Sequence, residues 1–583
     1  MKKIVVFLFA VLCCMATVHA VPAYRGLITF TQPDGSTIRV RLHGDEFCHW
    51  MTDESGQEIA PDADGYFRPV SIDTHNARVA AGERRRSRAN AARRRSGEGP
   101  VAIGKKHFLV ILVEFKDEHF TYSGNDFVNL LNEVGYDGNG GTGSARDFYF
   151  DNSHGGFEPV FDVYGPVEIS NDKAYYGGND SNGDDLRPEE AIIEGCRALD
   201  SSIDFSQYDN DGDGEVDLVF MYYAGKGEAD GGSTDCIWPH QWDLTSAAGA
   251  SLRLDGKKID KYACTNEIVG YGDLLGQLCG IGTACHEFGH AMGLPDMYDT
   301  NENTNGNAGG LYDYSTMCSG SYNNEGRTPP YFNIEERILL GWLDESALQE
   351  FPSSGTYTLG SVNGDVAYKS PTDMDGEYFL YECRSKQGWD AYIPEAGLIV
   401  YHVDKSSRKV QVSSTSIPAI TLWENWTIYN ALNANGSHPC FYVVPAGSQS
   451  SLNYNSGKFA FPGKANATSF TATSWNGVAS DVKLSSISYA GNTVSLYAEV
   501  PSTTLNYNVI ANPGHGVYSA GSSFQLALEE SSAQPVSSVQ WYFDDEPVSG
   551  STVTLPAGSH VVEAHLTLAS GETKIVELTL RAE

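Results

Sequence analysis

Positive charge is what this chain of 583 residues has least of: 39 Lys and Arg stand against 75 Asp and Glu, a net charge of −36. A phosphate-seeking surface needs a basic excess, so general binding to nucleic acid or to anionic membranes is excluded. Long apolar runs are missing too. The first, Ile4 to Met15, is too short to span a bilayer comfortably, and no later stretch reaches transmembrane length, so no stable membrane insertion is expected. No period of solenoid scale appears, which excludes a repeat array. The eleven cysteines follow no repeating spacing, so disulfides are open to an exported chain but their pairing cannot be assigned.

What is present organises into segments. The length exceeds what one hydrophobic core fills, and 41% hydrophobic content argues against global disorder, so several folded modules are expected. Lys2 and Lys3, the apolar run and Val18-His19-Ala20 read as a signal peptide over 1–20 cleaved after Ala20, which predicts a secreted protein, extracellular, periplasmic or at the cell surface. From 21 to 100 short β-like runs such as Leu27-Ile28-Thr29-Phe30 alternate with turn signals and end in Glu83-Arg84-Arg85-Arg86-Ser87-Arg88 and Arg93-Arg94-Arg95-Ser96. Twelve Arg against eleven Asp and Glu leave residues 21 to 99 nearly neutral in a strongly acidic chain. The segment therefore reads as a propeptide with an exposed linker, cut by an activating trypsin-like or Arg-specific protease. The alternative is an ordinary N-terminal domain with a basic linker.

Residues 101–345 alternate strand and helix: a buried strand at His107–Phe115, a helix from Pro188 to Leu199, a second strand at Leu218–Tyr223, and an apolar segment, Leu274 to Cys285, leading into a further helix. Residues 346–500 turn to β, with runs such as Gly397-Leu398-Ile399-Val400-Tyr401, and 501–583 read as an immunoglobulin-like module. The fold class is thus multidomain α+β: an α/β protease domain behind a small propeptide and followed by β-sandwich domains.

The chemistry concentrates in His286-Glu287-Phe288-Gly289-His290-Ala291-Met292-Gly293-Leu294-Pro295-Asp296. Residues four apart share one helix face, so His286 and His290 can hold one Zn²⁺ while Glu287 stands beside it as general base. Gly293 and Pro295 end the helix and let Asp296 swing back as third ligand, with Asp299 as its rival. Zinc with an open position activates water against a peptide carbonyl, which makes protein or peptide substrates the expectation. Met317, in Ser315-Thr316-Met317-Cys318, stands where a methionine floor under the histidines would lie, and Tyr322 could lend a hydroxyl to the reaction. The extended motif with its methionine is similar to the metzincin clan.

Separated segments make a finer match. Gln32-Pro33-Asp34-Gly35, Gly44-Asp45-Glu46-Phe47, Leu112-Val113-Glu114-Phe115, Ser144-Ala145-Arg146-Asp147-Phe148-Tyr149 and Ile237-Trp238-Pro239-His240 lead up to the histidine motif. Phe379-Leu380-Tyr381-Glu382-Cys383-Arg384 and Phe461-Pro462-Gly463 follow Met317. On these residues the chain, from about 22 to 500, resembles the immune inhibitor A family of secreted bacterial metalloproteases. The resemblance implies a zymogen with a removable propeptide, a zinc endopeptidase domain and β-rich accessory domains.

A second ion site is expected at Asp209-Asn210-Asp211-Gly212-Asp213-Gly214-Glu215-Val216-Asp217, where the aspartates, with Glu215 at the carbonyl position, match a structural Ca²⁺ loop of EF-hand type. Its twelfth position is Phe220, so the usual bidentate glutamate is missing. Cys48 is the single cysteine of the expected propeptide. It is either a latency ligand to the zinc or a core cysteine beside Phe47 and Trp50. The rival for the whole chain is a secreted calcium-dependent adhesin or glycan-binding protein with a vestigial metal site.

Overall fold

The computed structural model describes residues 19–92, 102–180, 183–300, 309–364, 366–410, 420–422, 430–446, 458–501, 507–512, 517–530, 536–568, 571 and 573–582. The expected signal peptide, apart from His19 and Ala20, and the Arg93-Arg94-Arg95 run lie outside the described residues. Two compact units result, one of 1–351 with 356–497 and one of 352–355 with 498–583. The molecule is multidomain and β-rich with few helices.

In the first unit, β1 (His19–Ala20) precedes a small antiparallel sheet of β2 (Leu27–Thr31), β3 (Thr37–Asp45), β4 (Cys48–Asp53), β5 (Glu58–Pro61) and β6 (Phe67–Pro69). The turn-rich sequence between short alternating runs forces this meander. Helix α1 follows over Ile72–Ala92. Its last ten residues are the start of the stretch expected as a linker and are helical: residues 83–92 contain neither glycine nor proline, and alanine and arginine favour helix.

The site is carried by a six-stranded sheet. Its members are β7 (Gly104–Glu114), β8 (Phe157–Glu168), β9 (Val219–Lys226), β10 (His240–Asp243) and β11 (Lys261–Ile268), in the order β1-β10-β11-β9-β7-β8. β7 pairs in parallel with β8 and β9, and β9 with β11. The near-continuous apolar run Phe108–Val113, buried throughout, is what a strand covered on both faces requires. Helix α2 spans Gly124–Asn132 and α3 spans Ala145–Asn152; Ser144 and Asp147 close a reciprocal cap on α3. Helix α4 runs Pro188–Leu199 as expected, proline opening it and Glu189 and Glu190 meeting its positive end.

Helix α5, Gly282–Ala291, carries the histidine motif. The approach to it differs from expectation, because Leu274 to Ile281 are not helical. Leu278 bridges back to Ile268, and Gly276, at φ +83°, turns the chain by donating its N–H to Val269 O at 2.9 Å. A glycine at positive φ diverts the chain into a tight hairpin before α5 can begin.

Helix α6 (Ile334–Leu339) leads to β12 (Leu348–Glu350), β13 (Gly355–Leu359), β14 (Ala367–Pro371), β15 (Glu377–Arg384), β16 (Gly397–Asp404), β17 (Phe441–Val443), β18 (Phe470–Thr473), β19 (Ala479–Ala490) and β20 (Thr493–Glu499). They form two sheets, β12-β14-β15-β16-β17 and β13-β20-β19-β18. One hydrophobic core runs from Phe108 and Phe288 through Met317 to Tyr401 and Phe459, so the boundary expected at 345/346 falls inside continuous packing. In the second unit two sheets share a core that includes Phe524, Trp541, Leu555 and Leu566. No disulfide joins cysteines among the described residues.

Candidate active site

Helix α5 presents His286, Glu287 and His290, which are 0%, 0% and 4% exposed. Each imidazole is fixed by a backbone carbonyl at its Nδ1: Thr316 O at 2.8 Å for His286 and Leu294 O at 2.8 Å for His290. A carbonyl only accepts, so Nδ1 carries the proton and Nε2 is left bare. The two Nε2 atoms face each other at 2.9 Å.

The chain returns to them as the motif predicts. Gly293, at φ +102°, ends the helix, with its N–H on His290 O at 2.9 Å and Leu294 N–H on Gly289 O at 3.0 Å. Asp296 then places Oδ1 at 3.2 Å from each Nε2. These three atoms form the group at α5 that could hold a metal ion, and the buried Asp299 is not in it. Burial alone would raise the Asp296 carboxyl; the imidazoles of His290 and His286 beside it carry it far below the usual range instead. Burial lowers His290, with Asp296 opposing in part. The donor set of two bare imidazole nitrogens and one carboxylate oxygen that no hydrogen-bond donor satisfies fits zinc.

Glu287 is pushed well above its ordinary value, first by burial and then by the Asp296 charge. Met317 is fully buried beneath the helix, its carbonyl accepting Met297 N–H at 2.7 Å, which ties the methionine segment to the residue after Asp296. Cys48 lies at the start of β4, its Cβ close against Gly82 of α1, and is not in the group of ligating atoms at α5.

Sequence reasoning had no signal for the segment that packs against Glu287. β1 pairs antiparallel with β10, His19 opposite Gln241 and Ala20 opposite His240. The next residue, Val21, donates its N–H to Glu287 Oε1 at 2.8 Å, and its carbonyl accepts from Trp238 Nε1 at 3.1 Å. The Tyr322 hydroxyl, expected near the reaction, donates to Pro22 O at 2.8 Å. Val21 and Ala23 are buried against Ala229, Trp238, Val269 and Tyr271. Asn430, equally unforeseen, bonds to Asp296.

The acidic loop brings oxygens of Asp209, Asp211 and Asp213 together, all within 4.8 Å of one another. Gly212 and Gly214 take positive φ of 81° and 95° and donate their N–H groups to Asp209. Asp209 also meets Lys257 Nζ at 2.5 Å, which with backbone donors lowers its carboxyl. The other two carboxylates turn elsewhere: Glu215 to Lys258 at 2.9 Å, and Asp217 to the side chain of Asn210 at 2.7 Å.

Residues 102–336 match the model of the immune inhibitor A peptidase M6 catalytic domain. A pre-pro-metalloprotease, PrtV, of Vibrio cholerae is 26% identical over 244 residues, 38% of this chain and 25% of its own. Immune inhibitor A of Bacillus thuringiensis subsp. alesti is 25% identical over 216 residues, 33% of this chain and 31% of its own. The chain thus spans only about a quarter to a third of the length of these curated relatives. A crystal structure of wild-type OgpA from Akkermansia muciniphila aligns over 84% of this chain and 94% of its own at 10% identity, with a TM-score of 0.23 that carries no argument. No helix among the described residues is long and apolar enough to cross a membrane. With the histidine motif, its aspartate and its methionine all inside the matched segment or bonded to it, the chain resembles the immune inhibitor A, peptidase M6 family of metallopeptidases.

Proposed function

We propose that the chain is a zinc-dependent endopeptidase of protein substrates, exported and made as a zymogen. The observation that carries the reading is the convergence of His286 Nε2, His290 Nε2 and Asp296 Oδ1 beside the buried Glu287. These three side chains would hold the zinc. When bound, it supplies an acidified water and a polarised peptide carbonyl.

The chain's own residues account for the rest. Glu287 takes the proton of the attacking water and returns it to the leaving amine. Its elevated affinity for a proton suits a carboxylate that must accept one in a dry site. The site already meets an extended backbone: the β10 edge pairs with it, Trp238 Nε1 and the Tyr322 hydroxyl donate to consecutive carbonyls, and an amide N–H donates to Glu287. A substrate peptide would use the same donors, so Trp238 and Tyr322 are assigned to substrate positioning.

Latency follows from the same contacts. Residues 21–23, which remain after cleavage at Ala20, lie where substrate would lie, and that cleavage would leave the Val21 nitrogen as a terminal amine against Glu287. This segment, rather than Cys48, is the blocking element of the reading. Arg-directed cleavage in the arginine-rich segment would free the cleft. Asp209, Asp211 and Asp213 are assigned to a structural calcium ion, with Glu215 and Asp217 flanking it.

The test is to purify the chain, treat it with trypsin, measure bound zinc, and follow casein hydrolysis with and without chelator beside Glu287→Ala. Chelator-sensitive hydrolysis that the variant lacks is expected. A processed wild type that binds zinc but leaves casein intact would sink the reading.

A further inference from the structure

The matched catalytic segment ends at residue 336, yet the aspartate of the ligand set is held by a side chain far beyond it. Asn430 grips Asp296 twice. Its Oδ1 accepts the Asp296 backbone N–H at 2.7 Å, and its Nδ2 donates to Asp296 Oδ2. Both residues are buried, at 4% and 1% exposure. The carboxylate is therefore divided: Oδ2 is pinned by the amide, and Oδ1 is turned to the two imidazoles at 3.2 Å.

The grip is itself braced. Thr300 Oγ1 donates to Asn430 O at 3.3 Å. Three residues on, Asn433 exchanges hydrogen bonds with Phe441 of β17, donating to its carbonyl at 2.7 Å and accepting its N–H at 2.9 Å. β17 in turn donates Val443 N–H to Gly310 O at 3.1 Å, on the loop that leaves the site. An unrestrained carboxylate can rotate about its terminal torsion, whereas one bonded at the distal oxygen and at the backbone presents a single oxygen in a single direction.

We infer that Asn430 is a positioning residue for Asp296, so that the metal centre is completed by the β-rich region after residue 346 and is not self-sufficient within 101–345. The inference rests on the zinc reading proposed above. Hydrogen bonds of this kind to a ligand typically govern affinity by about 10- to 100-fold.

The experiment uses the full chain. Zinc affinity is measured by competition with a chromogenic chelator for wild type, Asn430→Ala, Asn430→Asp and His286→Ala, alongside the melting temperature of each metal-free protein. The alanine variant is expected to bind zinc about 10- to 100-fold more weakly, with the metal-free melting temperature little changed. The aspartate variant, which sets a second carboxylate against Asp296, should bind at least as weakly. Unchanged affinity in a folded Asn430→Ala protein overturns the inference, and so does a loss matched by an equal collapse of the metal-free protein. Asn430→Ser, which keeps a small polar group, gives the same readout if the alanine variant does not fold. Should wild type hold no zinc that His286→Ala removes, the zinc reading itself falls, which is a separate result.

Discussion

The two clusters of side chains that could hold a metal ion are built on opposite plans. At His286, His290 and Asp296 every ligand is buried and aimed by a partner of its own: Thr316 O, Leu294 O and Asn430. At Asp209, Asp211 and Asp213 the group is partly exposed, local in sequence, and held by the loop's own amides and by Lys257. A buried set must be complete and rigid, because a misaligned charge with no water around it is costly. An exposed loop can reorganise around an ion. The difference predicts that the first cluster controls chemistry and the second controls stability alone.

Glu287→Gln separates these roles most sharply. Loss of a general base costs about 10²- to 10⁴-fold in rate, so hydrolysis by the processed variant should fall into that range while its zinc content, measured by atomic absorption, stays at the wild-type level. Retention of more than about a tenth of the activity would be incompatible with the role. Next in size is the loop. An ion present at about 100 times its dissociation constant stabilises a fold by about 2.7 kcal/mol, so calcium should raise the wild-type melting temperature by several degrees. In Asp213→Asn that rise should largely vanish while zinc content stays unchanged. A full calcium response in the variant would remove Asp213 from the site.

Gly289→Ala tests the rigidity of the buried cluster. A Cβ at Gly289 would stand 2.6 Å from Met317 Sδ and 3.2 Å from its Cε, with Met317 fully buried. Overpacking of this kind costs about 1–3 kcal/mol, so the melting temperature should drop, and with it zinc retention, as the methionine is pushed from beneath the helix. An unaltered melting curve would show that the floor yields freely.

What the sequence made legible follows the same division. His286, Glu287, His290 and Asp296 were legible because helix periodicity, a helix-ending glycine and a proline fix their geometry within eleven residues. The approach of Asp209, Asp211 and Asp213 to one another was legible for the same local reason. The contacts of Asn430, Trp238 and Val21 were not, because they span 134, 217 and 266 positions that no periodicity records. Helix α1 was not foreseen because an arginine-rich, apolar-poor stretch resembles a solvated linker, although each of its residues is compatible with helix. The hairpin before α5 was misread because an apolar run was given more weight than the glycines within it.

Asp230, in no ion pair among the described residues, shows what burial does to a carboxylate. Burial pushes it up to about 7, with the hydrogen bond from Asn266 and the charge of Lys226 opposing only in part. Its unfolded value is about 3.9, so between about pH 4 and 7 the folded chain binds more protons than the unfolded one, and stability falls as pH rises through that window. Asp230→Asn cannot titrate and should flatten the fall, gaining on wild type in melting temperature as pH approaches neutrality. Parallel curves for the two proteins would show that Asp230 is ionised in the fold.

The smallest effect expected is at Lys257, and it tests whether the loop is poised for a cation or already satisfied by one. Lys257 Nζ lies 2.5 Å from Asp209 Oδ2 and lowers that carboxyl by its hydrogen bond. Without calcium the lysine neutralises part of the acidic cluster, and with calcium it adds a like charge beside the ion. Lys257→Met removes both contributions, and both point the same way: the empty loop becomes less stable and the filled loop less strained. Calcium should therefore bind a few-fold more tightly, within the ~1 kcal/mol of a partly exposed charge pair, and its effect on the melting temperature should grow. A calcium response that shrinks instead would mean that Lys257 is part of the loop's architecture, and that Asp209 needs it in place before an ion can bind.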